Sequence, residues 1–557
     1  MGNELVIRGG TVIDGTGAPG YAADVLVRDG SIAEIGPRLS GADELDARGQ
    51  LVAPGFIDVH THYDAQVFWD PALTPSCWHG VTTVIAGNCG FSIAPCRPEH
   101  RDLLARTLQH VEDMNIATLA AGIPWDFESF PEYLDSVERR GTALNYAAYI
   151  GHTALRMFVM GNDGYEREQA TDAEITEMQR LVTEALEAGA IGFATSSSPT
   201  HSGDGGRPVP SRLADLAEVQ ALLEPLGTLD KGVAALLPGE RITHADVYEV
   251  QRRIGRPLTW TALLTIKGFP WHEDIVRDND AARADGIEVW PQISVRPLVF
   301  QMNLREPFTF NMAPAFADLM AEPDAVRKAR YADPSWRSIA LRQLEHEIQL
   351  KPRWGSVEVA ESQAHPELID RRVVDLARER DCTPLDVMLD ISLDEDLATR
   401  FRSVFANNDP EAIGSLLQHE GLLIGLADSG AHVSQLCDAC YSTELLGSWV
   451  RERGVIDLPR AIHKLSGEPA HVFGLDGPSG RGLVREGMAA DLVVFDPDTV
   501  APGPLRRVRD FPANGERLVA DSPSGVTHVL VNGTPIRLDG EPVAENVDSR
   551  PGRLLRS

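Results

Sequence analysis

The chain has 557 residues, and its 82 Asp and Glu against 51 Lys and Arg give a formal net charge of −31 at pH 7. So acidic a protein is a poor partner for nucleic acid or an anionic membrane surface, because binding to phosphate depends on Lys and Arg. Hydrophobic residues make up 43% and charged residues 24% of the chain, a composition that excludes disordered and collagen-like proteins.

The sequence also indicates the cellular compartment of the protein. No apolar run reaches the roughly 18 residues that a membrane helix needs, and Met1–Val6 has neither the basic start nor the apolar stretch of a signal peptide. Six cysteines in so long a chain do not form a disulfide framework and indicate thiols or ligands in a reducing compartment. We therefore predict a cytoplasmic protein with no membrane or nucleic-acid partner, and a homo-oligomer is compatible with the sequence.

Strand-like segments occupy both ends of the chain. Near the N-terminus, Asp24–Asp29 combines Val and Leu with an Asp-Gly turn, and near the C-terminus Val526–Val531 is closed by Asn-Gly. Two β segments so far apart in sequence predict one β domain, assembled from residues 1–54 and 476–545, with residues 546–557 as a tail.

Residues 55–475 have a different period, in which short apolar strands alternate with longer helical stretches. A capping box at Thr171 and Glu174 begins one helix, and Ala190–Thr195 follows it as a buried strand. Strands separated by helices pair in parallel through right-handed crossovers, which favours a (β/α) barrel over two open sheets. Within this region residues 295–340 hold five prolines and predict an insertion over the barrel mouth that acts as a lid.

The strongest chemical signal is Pro54-Gly55-Phe56-Ile57-Asp58-Val59-His60-Thr61-His62. Residues i and i+2 of an extended chain point the same way, so His60 and His62 aim at one point at the end of a strand. Two imidazoles placed in this way can bind a divalent metal. The alternative is a pair of unrelated histidines at a strand end.

The chain resembles the amidohydrolase superfamily of metal-dependent hydrolases. Residues 60–62 match its His-x-His at the end of the first strand, and Gly482–Phe495 matches its returning C-terminal β segment. The resemblance covers nearly the whole chain. It implies an α/β protein with a (β/α)8 TIM-type barrel and a small β-sandwich domain formed from the N- and C-terminal segments.

A narrower resemblance points to the N-acyl-D-amino-acid deacylase, or D-aminoacylase, branch. Gly87-Asn88-Cys89-Gly90 is similar to a segment in which the cysteine is a metal ligand, although a buried structural cysteine is the alternative. Asp428 resembles the last-strand aspartate that touches the metal and acts as general base, unless it only caps the next turn. His152, in a Gly-His pair, is implied to donate to the substrate carbonyl, unless it is bonded to loop backbone.

Two segments depart from that branch, which carries two further histidine ligands at the ends of middle strands. The matching stretches here, Gly232–Glu240 and Thr259–Leu264, contain no histidine. We therefore expect one divalent metal rather than two in a divergent subgroup, and zinc is the metal that nitrogen and sulfur ligands favour. The expected ligands are His60, His62, Cys89 and Asp428.

Four further residues are candidates for substrate binding: Arg207, Arg212, His201 and His432. The two arginines follow the strand that ends at Thr195 and can clamp a carboxylate in a forked geometry, although solvated loop arginines are more common. His201 lies in the same loop. His432 follows Asp428 closely, as a hydrogen-bond donor near the site or as a simple turn histidine.

Together these features predict a metal-dependent hydrolase of a C–N amide bond other than a peptide bond. It would act on a small-molecule amide, with Asp428 as the general base. N-acyl amino acids are the first substrates to test, and cyclic amides such as hydantoins or imides are the alternative. A catalytically inactive barrel scaffold is the third interpretation, because two histidine positions of the family are apolar here.

Overall fold

The computed structural model describes residues 4–320, 322–348, 351–478 and 480–557. The chain forms two compact units. The first comprises the chain up to Thr265 together with Phe269–Arg296 and Pro410–Ser557, and the second comprises Ile266–Gly268 and Pro297–Asp409. In the described part of the chain, no helix combines the length and the apolar character needed to cross a bilayer.

Eight parallel strands form the centre of the first unit, and their order in the sheet follows their order in the chain. We number them as barrel strands one to eight: Phe56–Asp58, Val81–Ala86, Asn145–Gly151, Gly192–Ser196, Val233–Leu237, Leu258–Trp260, Val289–Ile293 and Leu423–Ile424. All of their residues are buried except Leu237, as expected of parallel strands covered on both faces.

The two ends of this sheet meet just beyond the first and eighth barrel strands. Thr61 and Ser429 form a parallel bridge, and the His62 amide donates to the Ser429 carbonyl at 2.7 Å. The Ser429 hydroxyl also donates to the Asp58 carboxylate at 2.8 Å. The predicted (β/α)8 barrel is therefore confirmed, and the carboxyl ends of its first and last strands lie side by side.

Helices connect the barrel strands. The predicted capping box is confirmed at the start of Asp172–Glu187, where Thr171 and Glu174 bond each other's backbone amides, and the apolar side chains that follow at helical spacing are buried. The α-helices of this unit are Arg101–Glu112, Ile116–Gly122, Phe130–Arg140, His152–Met160, Asp172–Glu187, Pro210–Leu213, Leu216–Leu229, His244–Ile254, Trp271–Ala284, Pro410–Gln418, Tyr441–Glu444, Leu458–Ile462, Glu468–Val472 and Ala544–Asp548. Leu445–Glu452 and His463–Gly467 are π-helical.

Both ends of the chain contribute to one mixed sheet of nine strands, as predicted. The junction is an antiparallel pairing of Leu51–Pro54 with Leu492–Phe495. The strands are Glu4–Val12, Tyr21–Arg28, Ser31–Gly36, Asp43–Asp46, Leu51–Pro54, Leu492–Phe495, Val526–Val531, Thr534–Leu538 and Glu541–Pro542. A separate ribbon is formed by Leu505–Phe511 and Gly515–Ala520.

The last residues are not a free tail. After the short helix Ala544–Asp548, the chain returns to the amino end of the third barrel strand. The Tyr146 amide donates to the Arg553 carbonyl at 2.9 Å, and the Leu555 amide donates to the Tyr146 carbonyl at 2.7 Å. The Gly552 amide donates to the Thr142 carbonyl at 2.8 Å. We call residues 551–557 the C-terminal strap.

The second unit is longer than the predicted insertion of residues 295–340. Its three-stranded sheet orders Leu298–Met302, Arg400–Ala406 and Glu358–Glu361, and its α-helices are Pro314–Ala317, Asp324–Tyr331, Pro334–His346, Val373–Arg380 and Pro384–Asp394. Aromatic residues such as Phe316, Tyr331 and Trp336 form its own core. The later helices Val373–Arg380 and Pro384–Asp394 bury apolar side chains as barrel helices do, so the sequence alone did not separate them from the barrel. Its role as a lid stays a prediction.

Candidate metal centre and active site

His60 and His62 leave the first barrel strand and converge on Asp428, which follows the eighth. The Nε2 atoms of the two imidazoles each lie 3.2 Å from Asp428 Oδ1. The two rings are 5.4 Å apart, and both histidines are buried. The alternation of an extended chain therefore places the two rings where the sequence predicted, and the closure of the barrel brings the carboxylate to them.

Cys89 reaches the same point from the end of the second barrel strand. Its Sγ lies 3.5 Å from His60 Nε2, and one ligand atom from each of His60, His62 and Cys89 lies within 4.8 Å of the others. The turn that carries it needs Gly87, which has a φ of +83°, because a Cβ there would lie 2.5 Å from the Tyr149 carbonyl oxygen. We call His60, His62, Cys89 and Asp428 the ligand cluster.

Asn88 fastens this turn to the histidine segment. Its side-chain nitrogen lies 3.3 Å from both the Val59 and the Thr61 carbonyl oxygens and 2.9 Å from that of Ile85. One buried amide thus ties the cysteine turn to the backbone on either side of His60. This contact fixes the cysteine relative to the histidines.

The outer nitrogens of both imidazoles face partners that the sequence did not reveal. His60 Nδ1 lies 2.8 Å from Gln292 Oε1 and 3.2 Å from Thr261 Oγ1. His62 Nδ1 lies 3.1 Å from Glu112 Oε1. An acceptor at Nδ1 sets the tautomer that leaves Nε2 free to bind a metal. Both imidazoles therefore present Nε2 to the same point.

Charge pairing within the ligand cluster outweighs its burial. Burial opposes charge on His60, but the Cys89 sulfur and the Asp428 carboxylate raise the pKa of the ring to about 10. Burial also opposes ionisation of Cys89, but His60 and His62 lower the pKa of the thiol. The pKa of Asp428 lies well below its usual range, because hydrogen bonds from the two histidines overcome its burial. The cluster thus favours the thiolate and carboxylate forms that bind metals, and a bound cation would replace the imidazolium protons that these anions hold when no metal is bound.

Two nitrogens, one sulfur and one oxygen form a donor set that fits a tetrahedral zinc ion or a related divalent metal. The fifth and sixth barrel strands add no histidine to it, as the sequence indicated. Thr261, just after the sixth strand, instead bonds the outer side of His60. His244 lies on a helix between the rings of Trp260 and Trp271.

Two of the substrate-binding candidates lie beside the ligand cluster. His432 Nε2 is 3.9 Å from Asp428 Oδ2. His201 follows the fourth barrel strand, with Nδ1 2.7 Å from the Ser196 hydroxyl. Burial, together with the neighbouring His432 and His62, lowers the pKa of His201 to about 3, so its ring is neutral near pH 7. Both histidines remain candidates for contact with a substrate.

Both arginine candidates form hydrogen bonds with other groups of the protein. Arg207 donates to the Asp204 carboxylate at 2.9 Å and lies over the Tyr165 ring. Arg212 donates to the His201 carbonyl at 3.0 Å and to Glu240 at 3.1 Å. Arg212 therefore supports the backbone of His201, and this geometry gives no support to either arginine as a carboxylate clamp.

His152 is enclosed by side chains of the protein. It is fully buried, with Nδ1 2.7 Å from the Thr195 hydroxyl and Nε2 3.0 Å from Glu218. Both ring nitrogens are thus occupied, and burial lowers the pKa of the ring. A histidine with no free nitrogen has nothing to donate to a substrate carbonyl, so the geometry favours the alternative of a bonded structural histidine. Its partners are side chains rather than the expected loop backbone.

Several known proteins are similar to this chain over nearly its whole length. A model of the Amidohydrolase family matches residues 43–537. The D-aminoacylase of Alcaligenes xylosoxydans xylosoxydans is 30% identical over 539 residues, which cover 96% of this chain and 94% of that protein. A solved D-aminoacylase with a binuclear metal centre is 26% identical, with 99% of both chains covered and a TM-score of 0.68. The N-acyl-D-glutamate deacylase of Bordetella bronchiseptica, solved with zinc and a phosphonate inhibitor, is 27% identical, with 99% of both chains covered and a TM-score of 0.67.

Proposed function

Because this chain belongs to the amidohydrolase family and is a hydrolase of carbon–nitrogen bonds other than peptide bonds, we propose that it deacylates N-acyl-D-amino acids at a single metal ion. The ion would be held by the ligand cluster, and zinc is the metal that its donors favour. Relatives with D-aminoacylase and N-acyl-D-glutamate deacylase activity support this substrate class.

The observation that carries the proposal is the convergence of the ligand cluster from three separate strand ends. Asp428 Oδ1 lies 3.2 Å from the Nε2 atoms of both His60 and His62, and Cys89 Sγ lies 3.5 Å from the first of these nitrogens. Two imidazoles, a thiol and a carboxylate seldom meet in a buried site without a metal, because each is costly to remove from water.

Asp428 is the residue suited to move the proton. A bound divalent metal supplies Lewis-acid polarisation of the scissile carbonyl and makes the attacking water more acidic. The Asp428 carboxylate is ionised, because its pKa lies well below the usual range, and its Oδ1 lies 3.2 Å from the Nε2 atoms that would hold the ion. It accepts the proton of the attacking water and passes it to the leaving nitrogen. In this proposal the neutral ring of His201, after the fourth barrel strand, contacts the substrate.

Several features support one ion rather than two. The fifth and sixth barrel strands end at Leu237 and Trp260, neither of which can bind a metal in this way. The residue after Trp260, Thr261, contacts the outer nitrogen of His60, on the side away from Asp428. We expect protein loaded with zinc and freed of loose metal to contain about one ion per chain by elemental analysis. A stable content of two ions would contradict this part of the proposal.

The substitution Asp428→Asn tests the base directly. We expect the variant to retain metal, because the side chain keeps nearly the same volume and one oxygen. We expect kcat on the best N-acyl-D-amino acid to fall by about 10²–10⁴-fold, because the proton acceptor is removed. The assay compares N-acyl-D-amino acids, N-acyl-L-amino acids and hydantoins with metal-loaded protein. Full activity of the variant would exclude Asp428 as the base.

The same panel separates the alternatives. Turnover of hydantoins or imides without deacylation would establish the cyclic-amide alternative. Protein that takes up no zinc, manganese or cobalt and hydrolyses nothing would favour an inactive barrel scaffold.

A further inference from the structure

A glutamate that the proposed mechanism does not use lies at the end of the helix Arg101–Glu112. This helix belongs to the long connection between the second and third barrel strands. Leu104, Leu108 and Glu112 follow at intervals of four, so the carboxylate lies on the same face as the apolar side chains, and Glu112 is only 2% exposed. A carboxylate on a buried face requires a partner.

That partner is His62. Glu112 Oε1 lies 3.1 Å from His62 Nδ1, and neither atom has another hydrogen-bonding partner in the described part of the chain. The contact is an ion pair whose geometry is not that of a hydrogen bond. A slight rotation of either side chain would bring the two atoms into hydrogen-bond geometry.

The backbone around Glu112 is tied to the loop that carries Asp428. The Val433 amide donates to the Glu112 carbonyl at 3.2 Å. The Ser434 amide donates to the Asp113 carboxylate at 3.0 Å. The end of this helix is therefore held between His62, from the first barrel strand, and the loop after the eighth. The position of the carboxylate is set by the same segments that form the ligand cluster.

The two imidazoles differ in the group that faces Nδ1, the ring nitrogen directed away from Asp428. His60 Nδ1 faces the neutral side-chain amide of Gln292, at 2.8 Å. His62 Nδ1 faces an anion. A carboxylate behind an imidazole holds the ring with its other nitrogen toward the metal and increases the electron density that this nitrogen donates.

We infer that Glu112 is a positioning residue that orients His62 and strengthens it as a metal ligand beyond His60. The inference rests on the proposed function, because it requires a metal at the ligand cluster. It explains why a charged residue ends an otherwise apolar helix face. It also offers one way in which a site without histidines from the fifth and sixth strands retains its ion.

The test is the substitution Glu112→Gln, which keeps the shape and removes the charge. Asp102→Asn is the matched control, because it makes the same chemical change on the same helix at an exposed residue paired with Arg106. Zn²⁺ affinity is measured by competition with a chromophoric chelator, and the visible spectrum of the Co²⁺-loaded protein reports ligand geometry. The unfolding midpoint of each metal-free variant reports whether its fold is intact.

We expect Glu112→Gln to weaken Zn²⁺ binding about 10- to 100-fold and to shift the Co²⁺ spectrum, with the metal-free midpoint retained. Asp102→Asn should bind Zn²⁺ as the wild type does. If Glu112→Gln does not fold, Glu112→Asp, which keeps the charge at a shorter reach, should show a smaller loss of affinity.

The measured Zn²⁺ affinities separate a failure of this inference from a failure of the proposed function. A wild type that binds zinc, with Glu112→Gln within twofold of it, would overturn the inference and leave the proposed function standing. Equal losses in Glu112→Gln and Asp102→Asn would overturn it as well, because they would indicate a general effect of charge. A wild type that binds no metal would overturn both the inference and the proposed function.

Discussion

Three side chains around the proposed metal centre are carried by backbone that few residues other than glycine adopt. The φ angles are +55° at Cys89, +51° at Asp428 and +46° at His432. Such a conformation costs on the order of 1–3 kcal/mol for a residue with a side chain, and it persists where the surrounding structure enforces it. Here the three residues lie in the segments that follow the second and eighth barrel strands, where the ligand cluster forms. Strain concentrated in this way is typical of functional sites.

Cys89 gives the first prediction. We expect Cys89→Ala to lower metal affinity and to abolish the thiolate-to-cobalt absorption band of the Co²⁺-loaded protein, because the sulfur is removed. Cys96→Ala is the matched control, since Cys96 is buried and burial raises the pKa of its thiol to about 12, which leaves it un-ionised. Retention of the band in Cys89→Ala would return Cys89 to the class of structural cysteines.

His79 predicts a pH dependence of stability. It is fully buried with Nδ1 2.9 Å from the Thr443 hydroxyl, and burial lowers its pKa to about 3, against ~6.5 in an unfolded chain. Below pH ~6.5 the unfolded chain binds a proton that the folded protein rejects. The stabilisation is therefore complete above that pH and is lost as the pH falls toward 3.

His79→Asn keeps a polar contact to Thr443 and removes the titration. Between pH 7 and pH 5 we expect the wild type to lose about 2 kcal/mol more unfolding free energy than this variant, measured by urea denaturation. Equal losses in the two proteins would show that the histidine is not held neutral.

Among the elements, the C-terminal strap has the clearest structural role. Three of its four backbone hydrogen bonds join it to Thr142 and Tyr146, at the amino end of the third barrel strand, and the fourth joins Ser557 to Gly189 before the fourth strand. The ligand cluster lies at the opposite, carboxyl ends of the strands. In barrels of this kind the amino-terminal face serves stability and the carboxyl-terminal face serves chemistry. The strap should therefore contribute to folding without affecting the metal.

Deletion of residues 551–557 tests this separation. We expect a loss of about 4 kcal/mol of stability, at ~1 kcal/mol for each of the four backbone hydrogen bonds, with Zn²⁺ affinity unchanged. Arg556→Ala is the control, because it keeps the backbone bonds of the strap and removes a partly exposed side chain that pairs with Asp135 and Glu138 and bonds the Ala188 carbonyl, so it should change stability little. An equal midpoint for the truncated and full-length proteins would argue against the role of the strap.

At the scale of the whole first unit, the barrel closes at the junction of its first and eighth strands. These strands join through the Thr61–Ser429 bridge and the Ser429–Asp58 hydrogen bond rather than through a ladder. His60 and His62 lie on one side of this junction and Asp428 on the other. A metal bound by all three would therefore link the two edges of the sheet, and binding would favour the folded state.

We expect zinc at about 100 times its Kd to stabilise the protein by about 2.7 kcal/mol over protein treated with a chelator, as measured by urea unfolding. Asp428→Asn, which leaves a weaker ligand on one side of the junction, should gain less. Identical unfolding curves with and without zinc would show that no ion joins the two edges.

The His-x-His pair, the capping box at Thr171 and the alternation of strands and helices were predictable because each depends on neighbours a few residues apart. Local periodicity fixes which way such side chains point. Family resemblance added Cys89 and Asp428, which lie far apart in the chain. The missing histidines of the fifth and sixth strands were likewise visible as the residue types present there.

Other features depended on contacts that no local pattern encodes. Gln292 lies 232 residues from its partner His60, and Glu112 meets His62 only because a helix from the second connection packs on the first strand. The partners of His152 were hidden for the same reason, since Thr195 and Glu218 come from later elements and contact its two ring nitrogens. Spacing along the chain predicts the direction of a side chain, whereas packing decides which distant group it meets.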